Sequence, residues 1–182
     1  SIYGYKISQF GQVTKKMALL KPALIEVDIS CPHLDYGKPY DADPKLTSEV
    51  TKIVKKNAGK IPISIKLSPN VHDIKEIAHA AERAGADALT AINTVTAMVI
   101  DIDARKPILS NKIGGMSGPA LKPIAVRCVY EIYKTVKIPI IGTGGVTYGK
   151  DALEMIMAGA TCVGIGTAVY YRGIDVFKRV CQ

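Results

Sequence analysis

The sequence predicts an α/β protein, the C-terminal portion of a (β/α)8 TIM barrel with about five of the eight βα units, forming one partial barrel domain over residues 1–182. Three observations predict it. Short β-branched runs alternate with segments whose apolar residues recur at helical spacing. One βα unit repeats, since Lys60-Ile61-Pro62-Ile63 returns as Lys137-Ile138-Pro139-Ile140 and each is followed by Ala-Gly-Ala, at Ala84-Gly85-Ala86 and Ala158-Gly159-Ala160. The 182 residues fall short of the roughly 250 of a complete barrel.

Taken in order, residues 1–4 (SIYG) read as the end of an earlier strand, which places roughly 100 residues of barrel ahead of them. The candidate strands are 23–30 (ALIEVDIS), 61–68 (IPISIKLS), 87–94 (DALTAINT), 138–144 (IPIIGTG) and 161–168 (TCVGIGTA). Several are apolar on both faces, as expected of strands between covering helices and a packed barrel interior. The helices show as stripes at Leu46, Val50, Ile53 and Val54, at Ile74, Ile77, Ala78 and Ala81, and at Leu153, Ile156 and Met157. Gly85 and Gly159 fall where each helix ends and a left-handed backbone is needed.

With 48% hydrophobic and 22% charged residues, the composition excludes a disordered or fibrous chain. The 24 Lys and Arg against 16 Asp and Glu give +8, but the basic residues are scattered, so no nucleic-acid patch is expected. Pairs such as Lys15-Lys16 and Lys55-Lys56 read as solvated helix faces. No apolar run approaches the roughly 20 residues of a membrane span, and no secretory signal is visible, so a cytoplasmic location is expected. The cysteines at 31, 128, 162 and 181 make neither a CxxC pair nor metal spacing with His33, His72 or His79; reduced thiols and no metal are expected. Cys128 and Cys162 read as core residues.

In such barrels chemistry collects at the C-terminal ends of the strands. The first end carries Asp28-Ile29-Ser30-Cys31-Pro32-His33 and a long polar loop. A thiol there is either a proton acceptor or nucleophile, or a small buried hydrophobe. The second carries Lys66 within an apolar strand, where its charge needs a ligand anion or a carboxylate such as Asp28 or Glu26. The third, Ile92-Asn93-Thr94, offers an amide and a hydroxyl suited to the polar edge of a heterocycle, or to a turn. The last two, Gly142-Thr143-Gly144-Gly145 and Gly164-Ile165-Gly166-Thr167, put glycines where backbone N–H groups can approach a phosphate. A further cluster, 114–119 (GGMSGP), sits in the long connection from 94 to 138, a length that is usually functional.

These residues resemble, in order and spacing, the class 1 dihydroorotate dehydrogenases. The resemblance rests on Ser30-Cys31-Pro32, Lys66-Leu67-Ser68-Pro69-Asn70, Ile92-Asn93-Thr94, residues 105–112 (RKPILSNK), the 114–119 glycines, Gly142-Thr143-Gly144-Gly145 and Gly166-Thr167-Ala168. It is strongest toward the heteromeric type, which implies a partner subunit carrying FAD and an iron–sulfur cluster, NAD as final acceptor, and a homodimer or heterotetramer. The resemblance implies FMN as cofactor and oxidation of dihydroorotate to orotate in pyrimidine (UMP) biosynthesis. Cys31 would take the C5 proton while hydride leaves C6 for the flavin, and Lys66 would stand beside the flavin ring. Asp28, His33, Asn93 and Thr94 would bind substrate. Asp28 would also contact FMN, along with Ile92 and Gly118, while Gly144, Gly145, Gly166 and Thr167 would hold its phosphate.

Two positions depart from the family pattern. Asp28 and His33 each stand where the family has asparagine, and Ser-Cys-Pro-His is shared with dihydropyrimidine dehydrogenases, so reduction of uracil or thymine is an alternative. A flavin-free phosphate-binding barrel enzyme, with Lys66 as a Schiff-base amine, is another. A third is a binding fragment without activity of its own.

Overall fold

The alternation of β-branched and amphipathic segments folds as a parallel sheet covered by helices. The structure, a computed structural model, describes residues 1–30 and 40–182. Cys31 and His33 lie outside the described residues. In chain order the elements are α1 (Ile7–Ala18), β1 (Ile25–Asp28), α2 (Pro44–Ala58), β2 (Ile63–Leu67), α3 (Ile74–Arg83) and β3 (Ala88–Ala91). The short strands β4 (Val95–Ala97), β5 (Ile100–Asp101), β6 (Lys106–Pro107) and β7 (Gly114–Met116) follow, then α4 (Lys122–Tyr133), β8 (Ile140–Thr143), α5 (Gly149–Met157), β9 (Cys162–Gly164), α6 (Ala168–Arg172) and α7 (Val176–Val180).

All five expected strands form, each shorter than its apolar run, in the order β1-β2-β3-β8-β9, and every pairing is parallel. Ile2 adds an isolated parallel bridge to Val27 on the outer side of β1. Parallel pairing needs a crossover between successive strands. Helices α2, α3 and α5 supply three of them, and the long 94–138 connection with α4 supplies the fourth. Asp43 caps α2 by accepting from the N–H groups of Lys45 and Leu46, with Pro44 in the first turn, and Asp73 caps α3.

Register sorts the side chains. Ile25, Val27, Ile63, Ile65, Leu67, Leu89 and Ile140 are buried and make the core with the helices. The opposite face carries Asp28, Lys66 and Thr90 in register, and one step earlier Glu26 and Ser64. Ser64 and Thr90 share a buried hydrogen bond of 2.8 Å. The interior face is therefore more polar than expected: period-two residues such as Ser64 and Thr90 satisfy one another there, which an apolar-run reading overlooks.

Three further expectations are corrected. Lys55 is not a free lysine on a solvated face but an ion-paired one, still partly exposed, because its Nζ lies 2.6 Å from both carboxylate oxygens of Asp87, which also accepts from the Ile63 N–H at 2.8 Å. In α5, Ala152 and Met155 are buried whereas Leu153, Ile156 and Met157 are exposed. The buried face packs on the sheet beside Gly142, where an added Cβ would lie 3.4 Å from that of Met155 and 2.9 Å from that of Ala160, just past the helix. Cys162 is exposed, since it opens β9, whose one partner among the described residues is β8; Cys128 is buried as expected. Gly85 and Gly159 do adopt positive φ, +100° and +114°.

The connection after β3 is built rather than irregular. β4 pairs antiparallel with β7, and β5 with β6, forming two short ribbons that carry the chain out from the strand ends and back to α4.

Candidate functional site

In-register parallel pairing brings the strand ends to one edge of the sheet. The Asp28 carboxylate accepts from the Ser30 N–H at 3.0 Å and the Ser30 hydroxyl at 2.6 Å, and from the Asn93 amide at 3.3 and 3.4 Å. Its Oδ2 stands 3.6 Å from Lys66 Nζ. Asn93 Nδ2 also donates to Ser30 Oγ, while Asn93 Oδ1 accepts from the Thr94 N–H at 2.8 Å. Lys66 is thus paired with Asp28, one of its two expected carboxylates.

This cluster separates two cavities. One, of about 170 Å³, runs from Lys66 and Asn93 to Gly144-Gly145 and Gly166-Thr167, with Ile92 and Gly118 on its wall. The other, of about 510 Å³, opens beside it and is lined by Asp28, Ser30, Asn70 and Thr94, and by the first ribbon. The expected flavin contacts, Asp28 excepted, share the first cavity; Asp28 faces the second. Asn93 and Thr94 line both.

Gly145 has φ +77°, and a Cβ on it would lie 2.6 Å from the Lys122 nitrogen; one on Gly144, at φ +127°, would lie 2.8 Å from Ala125 Cβ. These glycines let the turn after β8 nest against the first turn of α4. A Cβ on Gly166 would meet nothing within 4 Å, so packing does not demand glycine there. Bare main chain beside a cavity next to a helix N-terminus favours an anionic oxygen. Thr167 Oγ1 and Ser117 Oγ lie 2.8 Å apart, tying the end of the last strand to the glycine loop before α4.

Several contributors were not singled out in the sequence. Asn70 donates to the Thr94 carbonyl at 3.0 Å and accepts from the Thr96 N–H at 2.9 Å, pinning the loop after β2 to that after β3. Its position after Ser68-Pro69 reads only as a turn. Asp151 accepts from the N–H groups of Thr147 and Tyr148 and from Lys122 Nζ at 2.9 Å. Burial pushes its carboxyl up, but the hydrogen bonds from Lys122, Tyr148 and Thr147 outweigh that and hold it below the usual range. Its place at the third residue of α5 is a capping signal that could have been read.

Asp41 is 4% exposed, and one of its carboxylate oxygens has no hydrogen-bond partner among the described residues. Burial raises it to about 6 despite a hydrogen bond from Ser68. Nothing in its local sequence marks it.

A parallel sheet with glycine turns after its last two strands, and with polar residues gathered at the strand ends, defines part of a (β/α)8-type barrel. Solved structures agree on that fold. DHODH from Eimeria tenella in complex with ferulenol matches at TM-score 0.79 and 22% identity, over 96% of this chain and 52% of that one. Its ligand-free form matches at TM-score 0.78. The model of the dihydroorotate dehydrogenase family matches residues 1–182, and the chain belongs to that family. The protein named dihydroorotate dehydrogenase B (NAD(+)), catalytic subunit, from Methanocaldococcus jannaschii is 53% identical over 183 aligned residues, which cover 100% of this chain and 59% of that protein. The one so named from Pyrococcus horikoshii is 50% identical over 99% of this chain and 59% of its own length. The chain therefore spans about 59% of these curated relatives. Among the described residues no helix is long and apolar enough to cross a membrane.

Proposed function

We propose that this chain carries the FMN- and substrate-binding end of an NAD-linked dihydroorotate dehydrogenase, oxidising dihydroorotate to orotate in pyrimidine biosynthesis. One observation carries the reading: Lys66, Asn93 and both glycine turns share a single cavity, and Asp28, Ser30 and Thr94 open a second beside it.

The main chain of Gly144, Gly145, Gly166 and Thr167 holds the phosphate of FMN, with Ile92 and Gly118 against the remainder. The nesting of Gly144 and Gly145 on α4 supports this fit, because it leaves no side chain in the way. Bound FMN supplies a two-electron acceptor. Lys66 places an ammonium at the cavity wall, favouring negative charge on whatever lies against it. Asn93 and Thr94, facing both cavities, orient the pyrimidine ring, and His33 is assigned to the same substrate. Cys31 takes the proton from C5 of the substrate; it follows Ser30, whose N–H and hydroxyl are held by Asp28. The flavin-free alternative loses support because Lys66, ion-paired to Asp28 at 3.6 Å, is no free amine for a Schiff base.

The names of the relatives, catalytic subunits of an NAD(+)-linked enzyme, support a further subunit. We assign to that subunit FAD and an iron–sulfur cluster that pass electrons to NAD, in a cytoplasmic heterotetramer or, without it, a homodimer. The test is anaerobic mixing of the flavin-loaded protein with dihydroorotate or dihydrouracil. Dihydroorotate should bleach the flavin faster; preference for dihydrouracil would overturn the substrate. Cys31→Ala should retain FMN and lose about 10²–10⁴-fold in the reductive step, and unchanged turnover would remove Cys31 as the base.

A further inference from the structure

We infer that Asp28 is the counter-ion of Lys66 and sets the electrical character of the wall between the two cavities. This rests on the flavin reading above and adds a role for Asp28 beyond contact with a ligand. Lys66 projects from the interior face of β2, and among the described residues its one carboxylate partner is Asp28, directly opposite it in register on β1. Both side chains are about one-quarter exposed, so the pair is neither solvated freely nor sealed.

The carboxylate is held from the other side as well. The Ser30 N–H, the Ser30 hydroxyl and the Asn93 amide all donate to it, so its position does not depend on Lys66. Lys66 lines the cavity with the glycine turns and Asp28 lines the other. A ring against Lys66 therefore meets a positive charge with a fixed negative charge immediately behind it. Two opposite charges this close largely cancel at a distance, while the nearer one still dominates at contact. The pair attenuates the pull of Lys66 on electrons placed in the first cavity.

The sign follows. Removing the carboxylate exposes the ammonium fully and favours the more negative, reduced form of a bound flavin. Removing the ammonium leaves the carboxylate alone and does the reverse. The midpoint potential of bound FMN in the holoenzyme should shift positive in Asp28→Asn and negative in Lys66→Gln, measured by dye-equilibrated titration without substrate. A potential that stays put in Asp28→Asn, or moves in the same direction in both variants, would overturn the counter-ion role. So would loss of FMN from Asp28→Asn on gel filtration, because an electrostatic partner leaves the glycine turns intact. If the unsubstituted protein retains no FMN, the functional reading falls with it; a flavin-bearing protein with an unmoved potential refutes the counter-ion alone.

Discussion

Gly145 and Gly166 share one expected role but sit in different surroundings, and substitution separates packing from binding. At Gly145 a methyl group would meet the Lys122 nitrogen and the Gly118 carbonyl at a positive φ, whereas at Gly166 it would enter open space. Gly145→Ala should destabilise the fold by about 1–3 kcal/mol, read as a shifted urea midpoint. Gly166→Ala should leave that midpoint unchanged and weaken FMN binding in a fluorescence titration; undiminished affinity would remove Gly166 from the phosphate site. Asp41 offers a second test. Its folded-state value of about 6 exceeds the roughly 3.9 of an unfolded aspartate, so the folded protein binds the proton more tightly and loses stability as pH rises from 4 to 6. Asp41→Asn should abolish that loss, on the order of 3 kcal/mol by pH 7. Unfolding curves at pH 4.5 and 7.5 would check it, and equal pH dependence in both proteins would contradict it.

Among the elements, the turn after β8 is held by α5 as much as by its glycines. Asp151 fastens Thr147 and Tyr148 to the start of α5, and Lys122 joins α4 to α5 through Asp151 and Glu154. Asp151→Ala leaves two buried or half-buried N–H groups without their acceptor and Lys122 with Glu154 alone, which costs about 1–3 kcal/mol. It should also weaken FMN binding by loosening Gly144 and Gly145. Since the folded carboxyl lies below its unfolded value, its contribution is complete above about pH 3.9 and is lost as pH falls through the depressed folded value. The difference in stability between the two proteins should shrink in acid; a constant difference would show that charge plays no part. Helices α2 and α3 were legible because caps and periodicity are local, as at Asp43 and Asp73. The inward stripe of α5 was not, because Leu153 and Met155 are equally apolar and only the neighbouring sheet selects between them.

For the molecule as a whole, the described sheet ends at β9, which has β8 as its one strand partner, and several large apolar residues on the ribbons, among them Val99, Ile102 and Ile108, are exposed. Unpaired edges and apolar patches promote association. The isolated 182-residue chain should self-associate at micromolar concentration in sedimentation velocity, and a single monomer boundary would contradict this.

The sequence by itself determined the βα rhythm, the five parallel strands, the glycine turns and the family, because each is written in short-range pattern or in runs of identity. Only the tertiary structure decided that Asp28 rather than Glu26 meets Lys66, that Asn70 pins Thr94, and that Asp41 is buried. Those facts depend on register and on which strand ends lie side by side, relations between residues up to 65 positions apart that no local pattern encodes.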